Sequence, residues 1–352
     1  MTRLALLVCL AAVMARPGLA AEPADLVHRA PAPDAVLTRI AVGSCLNQRR
    51  PAPILRTIAG LHPDLLLLIG DNVYADTDDP ARMRAAYADL AANPDYRALV
   101  AAVPVLATWD DHDYGDNDAG AEWAFKHGAK DAMLAFFNEP ADSPRRRRDG
   151  VYDARVFGPP GRRVQVILLD TRWFRSPLVQ AERGYAPNPD PRATILGDAQ
   201  WAWLEAQLRV PAEVRILASS IQVVPDEHAF EKWANFPAER ARLLRTLADT
   251  GARDLVIVSG DRHRGELSVM DDPTLGYPLY DLTTSSLNMP LQRDNPNRYR
   301  HGQVVTDVNF GTVEIDWTAT PPALTLALRD IDGKPVVQER VPLDRLQPRA
   351  GH

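Results

Sequence analysis

Four apolar runs of strand length constrain this chain more than any other feature. They cover residues 37–45, 64–70, 103–107 and 254–260. Each stops abruptly on polar residues: the first on Cys45, the second on Asp71, the third on Asp110-Asp111-His112-Asp113 and the fourth on Asp261-Arg262-His263. A continuous apolar run reads as a strand buried on both faces, which needs a layered α/β arrangement. In such sheets ligands gather outside the carboxyl ends of the strands, so the four endings are expected to converge. Three carboxylates and an imidazole in four consecutive positions would repel and destabilise one another unless a cation neutralised them. With Tyr74 close behind Asp71, the endings offer a thiolate, carboxylates, a phenol and two imidazoles, which is the inventory of a metal site.

The rest of the chain fits a layered domain. Helical patterns are expected over 53–61, 80–100, 121–138, 198–208 and 237–250, with further strands at 163–170 and 214–218. After residue 276 the helical pattern stops. Segments 280–284, 313–317, 324–328 and 336–341 read as antiparallel strands that extend the sheet on one side. A hydrophobic fraction of 46% over 352 residues gives ample material for a core, and a net charge of −6 argues against a nucleic-acid partner.

Residues 1–21 read as a secretory signal: Arg3, an apolar stretch over 4–15, and small residues around cleavage after Ala20 or Ala21. The expected location is therefore periplasmic or secreted. Residues 22–36 read as a loose Pro- and Ala-rich leader, followed by one domain over 37–345. No later stretch is long and apolar enough to span a membrane. Removing the signal leaves Cys45 as the lone cysteine, either a buried small hydrophobe or a metal thiolate.

The motifs also have a family resemblance. Gly70-Asp71, Asp110 to Asp113, and Gly260-Asp261-Arg262-His263 stand where calcineurin-like metallophosphoesterases carry their GDxxx, GNH(D/E) and GHxH motifs. Gly43-Ser44-Cys45 replaces an Asp-x-His, Tyr74 lies three residues past Asp71, and Asp261 replaces a histidine. That set resembles the alkaline phosphatase D-like branch, over about residues 37–317, including Asp170-Thr171-Arg172 and Thr283 to Ser286.

The resemblance implies a four-layer α-β-β-α sandwich with two central mixed sheets, and hydrolysis of phosphate mono- or diesters by hydroxide held on two metals. It implies ferric iron (Fe3+) with calcium (Ca2+), another divalent pair being the alternative. Cys45, Asp71, Tyr74 and His263 would hold the first ion, Asp71 would bridge, and Asp110, Asp111 and Asp261 would hold the second. His112 would face the phosphoryl group, with Asp113 orienting it. Arg172 and Gln222 are candidates for contacting substrate, although Arg172 reads more readily as half of a structural ion pair. His228 and Arg145 to Arg148 read as surface, Trp109 as core. Loops 114–120, 140–150, 176–197 and 287–302 would choose the substrate. Rival readings are a phospholipase D-like diesterase and a non-catalytic extracytoplasmic binding protein for metal or phosphate. A monomer without stable nucleic-acid or membrane partners is expected.

Overall fold

A computed structural model describes residues 26–348; the expected signal lies outside the described residues. In chain order the first half contains β1 (Arg39–Gly43), α1 (Ile54–Gly60), β2 (Leu65–Ile69), α2 (Pro80–Ala92), α3 (Pro94–Ala102), β3 (Val105–Thr108), α4 (Asp111–Tyr114), α5 (Lys126–Phe136), α6 (Pro144–Arg147), β4 (Asp153–Phe157) and β5 (Val164–Leu168). There follow β6 (Val179–Gln180), β7 (Tyr185–Ala186), α7 (Gly197–Leu208), β8 (Val214–Ser219), α8 (Pro237–Asp249), β9 (Leu255–Ser259), β10 (Gly265–Asp271) and β11 (Pro278–Thr284). The last strands are β12 (Arg300–Val305), β13 (Phe310–Asp316), β14 (Ala323–Arg329) and β15 (Pro335–Pro342).

These strands build two large mixed sheets. One runs β15-β14-β13-β1-β2-β3, the other β12-β10-β11-β9-β8-β5-β4. Side chains alternate across a strand, so each central strand feeds two cores. Ile40, Val42, Leu65, Leu67 and Ile69 meet Val164, Val166, Leu168, Val214 and Ile216 between the sheets. Ala41, Leu66 and Leu68 pack outward against apolar residues of α1, α2, α3 and α5. Ile167, Leu217 and Ile257 pack outward against α7 and α8. Burial on both faces is why the strands read as unbroken apolar runs, and the outcome is the four-layer sandwich.

Several local expectations are corrected. The single helix over 80–100 is two: the Asn93 side chain accepts from Asp95 N (2.9 Å) and Tyr96 N (3.2 Å), and Pro94 opens α3. Proline cannot donate within a helix interior, so Asn-Pro ends one helix and caps the next. The later strands do not extend one side. β13 to β15 join the first sheet and β10 to β12 the second. The described part of the leader is packed rather than loose, since His28 is buried with Nε2 2.8 Å from Tyr96 Oη, and Arg29 O accepts from Val105 N. The basic run is not an exposed loop throughout: Arg145 is buried, pairing with Glu139 (3.0 Å) and donating to Ala107 O and Val151 O.

Candidate metal centre

The four strand endings do converge, and they do so from both sheets. Cys45 follows β1, Asp71 follows β2, Asp110 follows β3, and Asp261 follows β9 of the opposite sheet. The chain turns sharply at Cys45, Asp71 and Asp261, while Asp110 stays extended. Nine non-glycine residues have positive φ among the described residues, and six are Cys45, Asp71, Asp76, Asp118, Asp261 and His263. Such backbone is costly and concentrates at functional sites. Gly70 (φ 116°) makes a closer approach still, because a Cβ there would lie 2.5 Å from Asp110 Cβ.

Three groups of ligand atoms have all members within 4.8 Å of one another: Cys45-Asp71-His263, Asp71-Asp111-His112 and Asp110-Asp111-Asp261. Asp71 and Asp111 each belong to two groups, so the set reads as two adjoining positions with shared carboxylates. At the first position, Cys45 Sγ lies 3.3 Å from Asp71 Oδ2 and 3.2 Å from Ser285 Oγ. Tyr74 Oη donates to Asp71 Oδ2 (3.2 Å) and lies 3.1 Å from His263 Nε2. Ser285 also accepts from His263 N at 2.7 Å, which ties the two halves together. At the second position, Asp111 Oδ1 accepts from His112 N (2.9 Å) and Oδ2 from Asp118 N (2.8 Å). Asp110 Oδ1 is engaged by Arg172 Nε (2.6 Å) and Ser220 Oγ (2.5 Å).

The donor set fits cations. Asp71 Oδ1, Asp110 Oδ2 and Asp261 Oδ2 are buried without hydrogen-bond partners, a state that is expensive for a carboxylate unless something positive sits there. The charge balance agrees. Burial, with the charge of Cys45 adding, pushes Asp71 well above the carboxylate range. Burial pushes Asp110 well up despite Arg172, and Asp261 to about 7 despite Arg262. Burial also pushes the Cys45 thiol up to about 11. These groups are strained as neighbours and need neutralising charge to ionise together.

Roles read from order in the chain need revision at several residues. Asp113 does not orient His112. It is fully buried, its Oδ1 accepts from Asp110 N (2.7 Å), and its Oδ2 accepts from Asn72 N (3.2 Å) and Asn72 Nδ2 (2.5 Å). The carboxylate on His112 is Asp76, with Oδ1 2.6 Å from Nδ1. Burial lowers the His112 pKa, but the Asp76 bond and the charges of Asp71 and Asp111 outweigh it and raise it to about 10. The His112 ring lies 4.2 Å from the Tyr74 ring between centroids.

Arg172 is fully buried and pairs with Asp110 and Glu231, both at 2.6 Å, so it is a structural tie and no substrate contact. Gln222 is also fully buried, bonded to Glu266, Thr283 and His228. His228 is accordingly interior, not surface. Trp109 is core, at 0% exposure. The sequence alone gives no role to Asp76, Asp118, Ser285 or Glu231, although Ser285 falls in the 283–286 segment of the resemblance and Asp118 in the 114–120 loop. Asp76 and Asp118 had a weak signal, lying in the loops just past Asp71 and Asp111; Glu231 had none.

Comparison with known proteins agrees with this geometry. The sequence model of the PhoD-like phosphatases matches residues 40–312, most of the chain and all four endings. The chain belongs to the PhoD-like phosphatase family. The alkaline phosphatase D of Bacillus subtilis (strain 168) is 23% identical over 200 residues, which are 50% of this chain and 34% of that protein. The chain thus matches about a third of that relative's length. Among solved structures, that of PhoD superposes with a TM-score of 0.69 at 17% identity, covering 92% of this chain and 74% of the other. A dimetal phosphatase from Danio rerio gives 0.54 at 12% identity, covering 88% and 100%. GAP50, described as the anchor in the inner membrane complex of Plasmodium, gives 0.56 at 12% identity, covering 88% and 90%. At these identities the structures establish the metallophosphoesterase sandwich, and the PhoD-like motifs supply the reading of the centre.

Proposed function

We propose that this PhoD-like protein is a metal-dependent phosphoesterase that hydrolyses phosphate mono- or diesters. The observation that carries the reading is the pair of adjoining ligand sets sharing Asp71 and Asp111, with unpartnered carboxylate oxygens beside the His112–Asp76 pair. Cys45, Asp71, Tyr74 and His263 would hold one ion. Their thiolate, phenolate and imidazole suit Fe3+. Asp110, Asp111 and Asp261, all oxygen donors, would hold the other and suit Ca2+. Two bound cations supply an activated water and neutralise charge on the phosphoryl oxygens.

The chain's own residues supply the rest. His112 presents Nε2 while Asp76 holds Nδ1, so its proton is available to a phosphoryl oxygen or a leaving alkoxide. The Tyr74 ring packs against it at a 34° tilt and limits its rotation. Arg172, held between Asp110 and Glu231, fixes the side of Asp110 that faces away from the unpartnered Oδ2. Among the described residues no helix is long and apolar enough to cross a membrane. The signal-like segment over residues 1–21 is what supports an exported protein.

The test is a hydrolysis panel on purified protein, with and without calcium and after chelation: a monoester, a diester, a nucleic acid and phosphatidylcholine. Chelator-sensitive release from the mono- or diester is expected, with visible absorbance from thiolate- or phenolate-bound iron. Cleavage of phosphatidylcholine alone would move the assignment to a phospholipase-type diesterase. Metal binding with no hydrolysis of any ester would make the protein a binder.

A further inference from the structure

Beside the centre, the turn between β9 and β10 buries two guanidinium groups whose donors are left partly unpartnered. Arg262 and Arg264 flank His263 in the turn between β9 and β10. The Arg262 guanidinium lies over the Phe230 ring at 4.2 Å, with Nη1 3.6 Å from Asp261 Oδ2 and Nη2 buried without a partner. Arg264 is 1% exposed, and neither Nη1 nor Nη2 has a hydrogen-bond partner. Its Nη1 is 4.0 Å from Asp294 Oδ1, beyond hydrogen-bond reach. Lys232, also buried, donates to the Phe230 carbonyl.

The carboxylates nearby are committed elsewhere. Asp294 and Glu266 hold Arg300 at 2.7 and 2.9 Å. Glu231 holds Arg172 and Arg175. Asp226 holds Arg298. The resulting positive field reaches its neighbours. Burial and then the charge of Arg262 push Lys232 down to about 8, and the same two causes hold His228 far below the usual imidazole range. Buried guanidinium donors without an acceptor are costly, and their fork geometry matches an oxyanion. Asp294 is largely solvent-exposed, so Arg264 lies directly beneath the surface.

We propose that Arg262 and Arg264 form a subsite for a second anionic group of the ester, separate from the phosphoryl group that reacts. The proposal rests on the phosphoesterase reading and adds a substrate class to it: esters carrying a carboxylate or a further phosphate near the scissile group. Half-buried Phe230, in the loop before the single turn at 233–235, backs the Arg262 guanidinium and holds its plane.

Calorimetry on metal-loaded protein tests this with three non-hydrolysable probes: propylphosphonate, 3-phosphonopropionate and propane-1,3-bisphosphonate. At least one two-anion probe is expected to bind about tenfold or more tighter than propylphosphonate, the scale of one charge-assisted bond. A gain for the carboxylate probe alone assigns a carboxylate, and a gain for the bisphosphonate alone assigns a phosphate. In Arg264→Gln the preference should disappear while the one-anion probe binds as before. Should that variant not fold, Arg262→Gln carries the same comparison, made at verified full metal content because Arg262 Nη1 lies 3.6 Å from Asp261 Oδ2. Equal binding of all three probes by the unaltered protein, or a preference that survives in the folded variants, overturns the subsite alone. Failure of all three to bind with metal present overturns the phosphoesterase reading as well.

Discussion

At the residue scale, the centre turns on which carboxylate touches which partner. His112 and Asp113 are adjacent in sequence, yet they point to different tasks: α4 sends Asp113 back to cap Asp110 and Asn72, and leaves His112 to Asp76. Two substitutions separate these tasks. Asp76→Asn removes an exposed charge that positions His112. It should lower kcat by about 10–100-fold, with metal content and melting temperature retained. Asp113→Ala leaves the Asp110 and Asn72 backbone amides without an acceptor and leaves Asn72 Nδ2 with Thr108 O alone. It should cost about 1–3 kcal/mol of stability per orphaned donor and loosen the metal. Kinetics, metal analysis and thermal melts on both variants decide the matter. If Asp113→Ala melts normally and Asp76→Asn keeps full turnover, the positioning assigned here is wrong. A third variant probes His112 itself. His112→Ala should keep both metals yet lose roughly 10²–10⁴ in rate, more on diesters with poor leaving groups than on nitrophenyl esters. Unchanged turnover on both substrates would make the imidazole structural.

At the element scale, the site is legible where strands end and illegible where loops cross. Cys45, Asp71, Asp110 and Asp261 are readable because β1, β2, β3 and β9 lie in the interior as apolar runs, so the polar residues within a few positions of each run mark its carboxyl end. Asp76 with His112, Ser285 with Cys45 and Glu231 with Arg172 are contacts across distant segments, and no periodicity encodes them. Arg145 and His228 misled for a related reason: charge alone suggests solvent, but carboxylate and carbonyl partners bury both. The strand exits also yield a prediction. Gly70→Ala places a Cβ on Asp110 and asks a non-glycine residue for φ 116°. The end of β2 must shift, so metal affinity should fall together with stability, measured by metal titration and melting. A variant that binds metal as tightly as the parent would show that the exit has room after all.

At the scale of the whole molecule, charge in the centre couples metal binding to pH. Burial raises Asp261 from 3.8 to about 7 in the metal-free fold. A group raised on folding holds a proton that the unfolded chain has lost, so metal-free stability falls as pH climbs from about 4 to 7. Bound cations favour the ionised carboxylates and oppose that loss. The gap in melting temperature between loaded and chelated protein should therefore widen from about pH 5 to 8. His28, pushed down to about 4 by burial, and His228, held far below the usual imidazole range, stay neutral in loaded and chelated protein alike and drop out of the difference. A constant or narrowing gap would contradict this account of the carboxylates. Chain order has a consequence for how such a molecule is made. β1 takes β2 on one side and, much later in the chain, β13 on the other, with Ile40 beside Val313. At about 5–20 residues per second, a ribosome needs tens of seconds to make the segment between them. Throughout that interval β1 keeps a bare edge and the first sheet is unfinished. The first sheet can therefore close only after about nine-tenths of the chain has been made, because β13 ends at Asp316 of 352 residues.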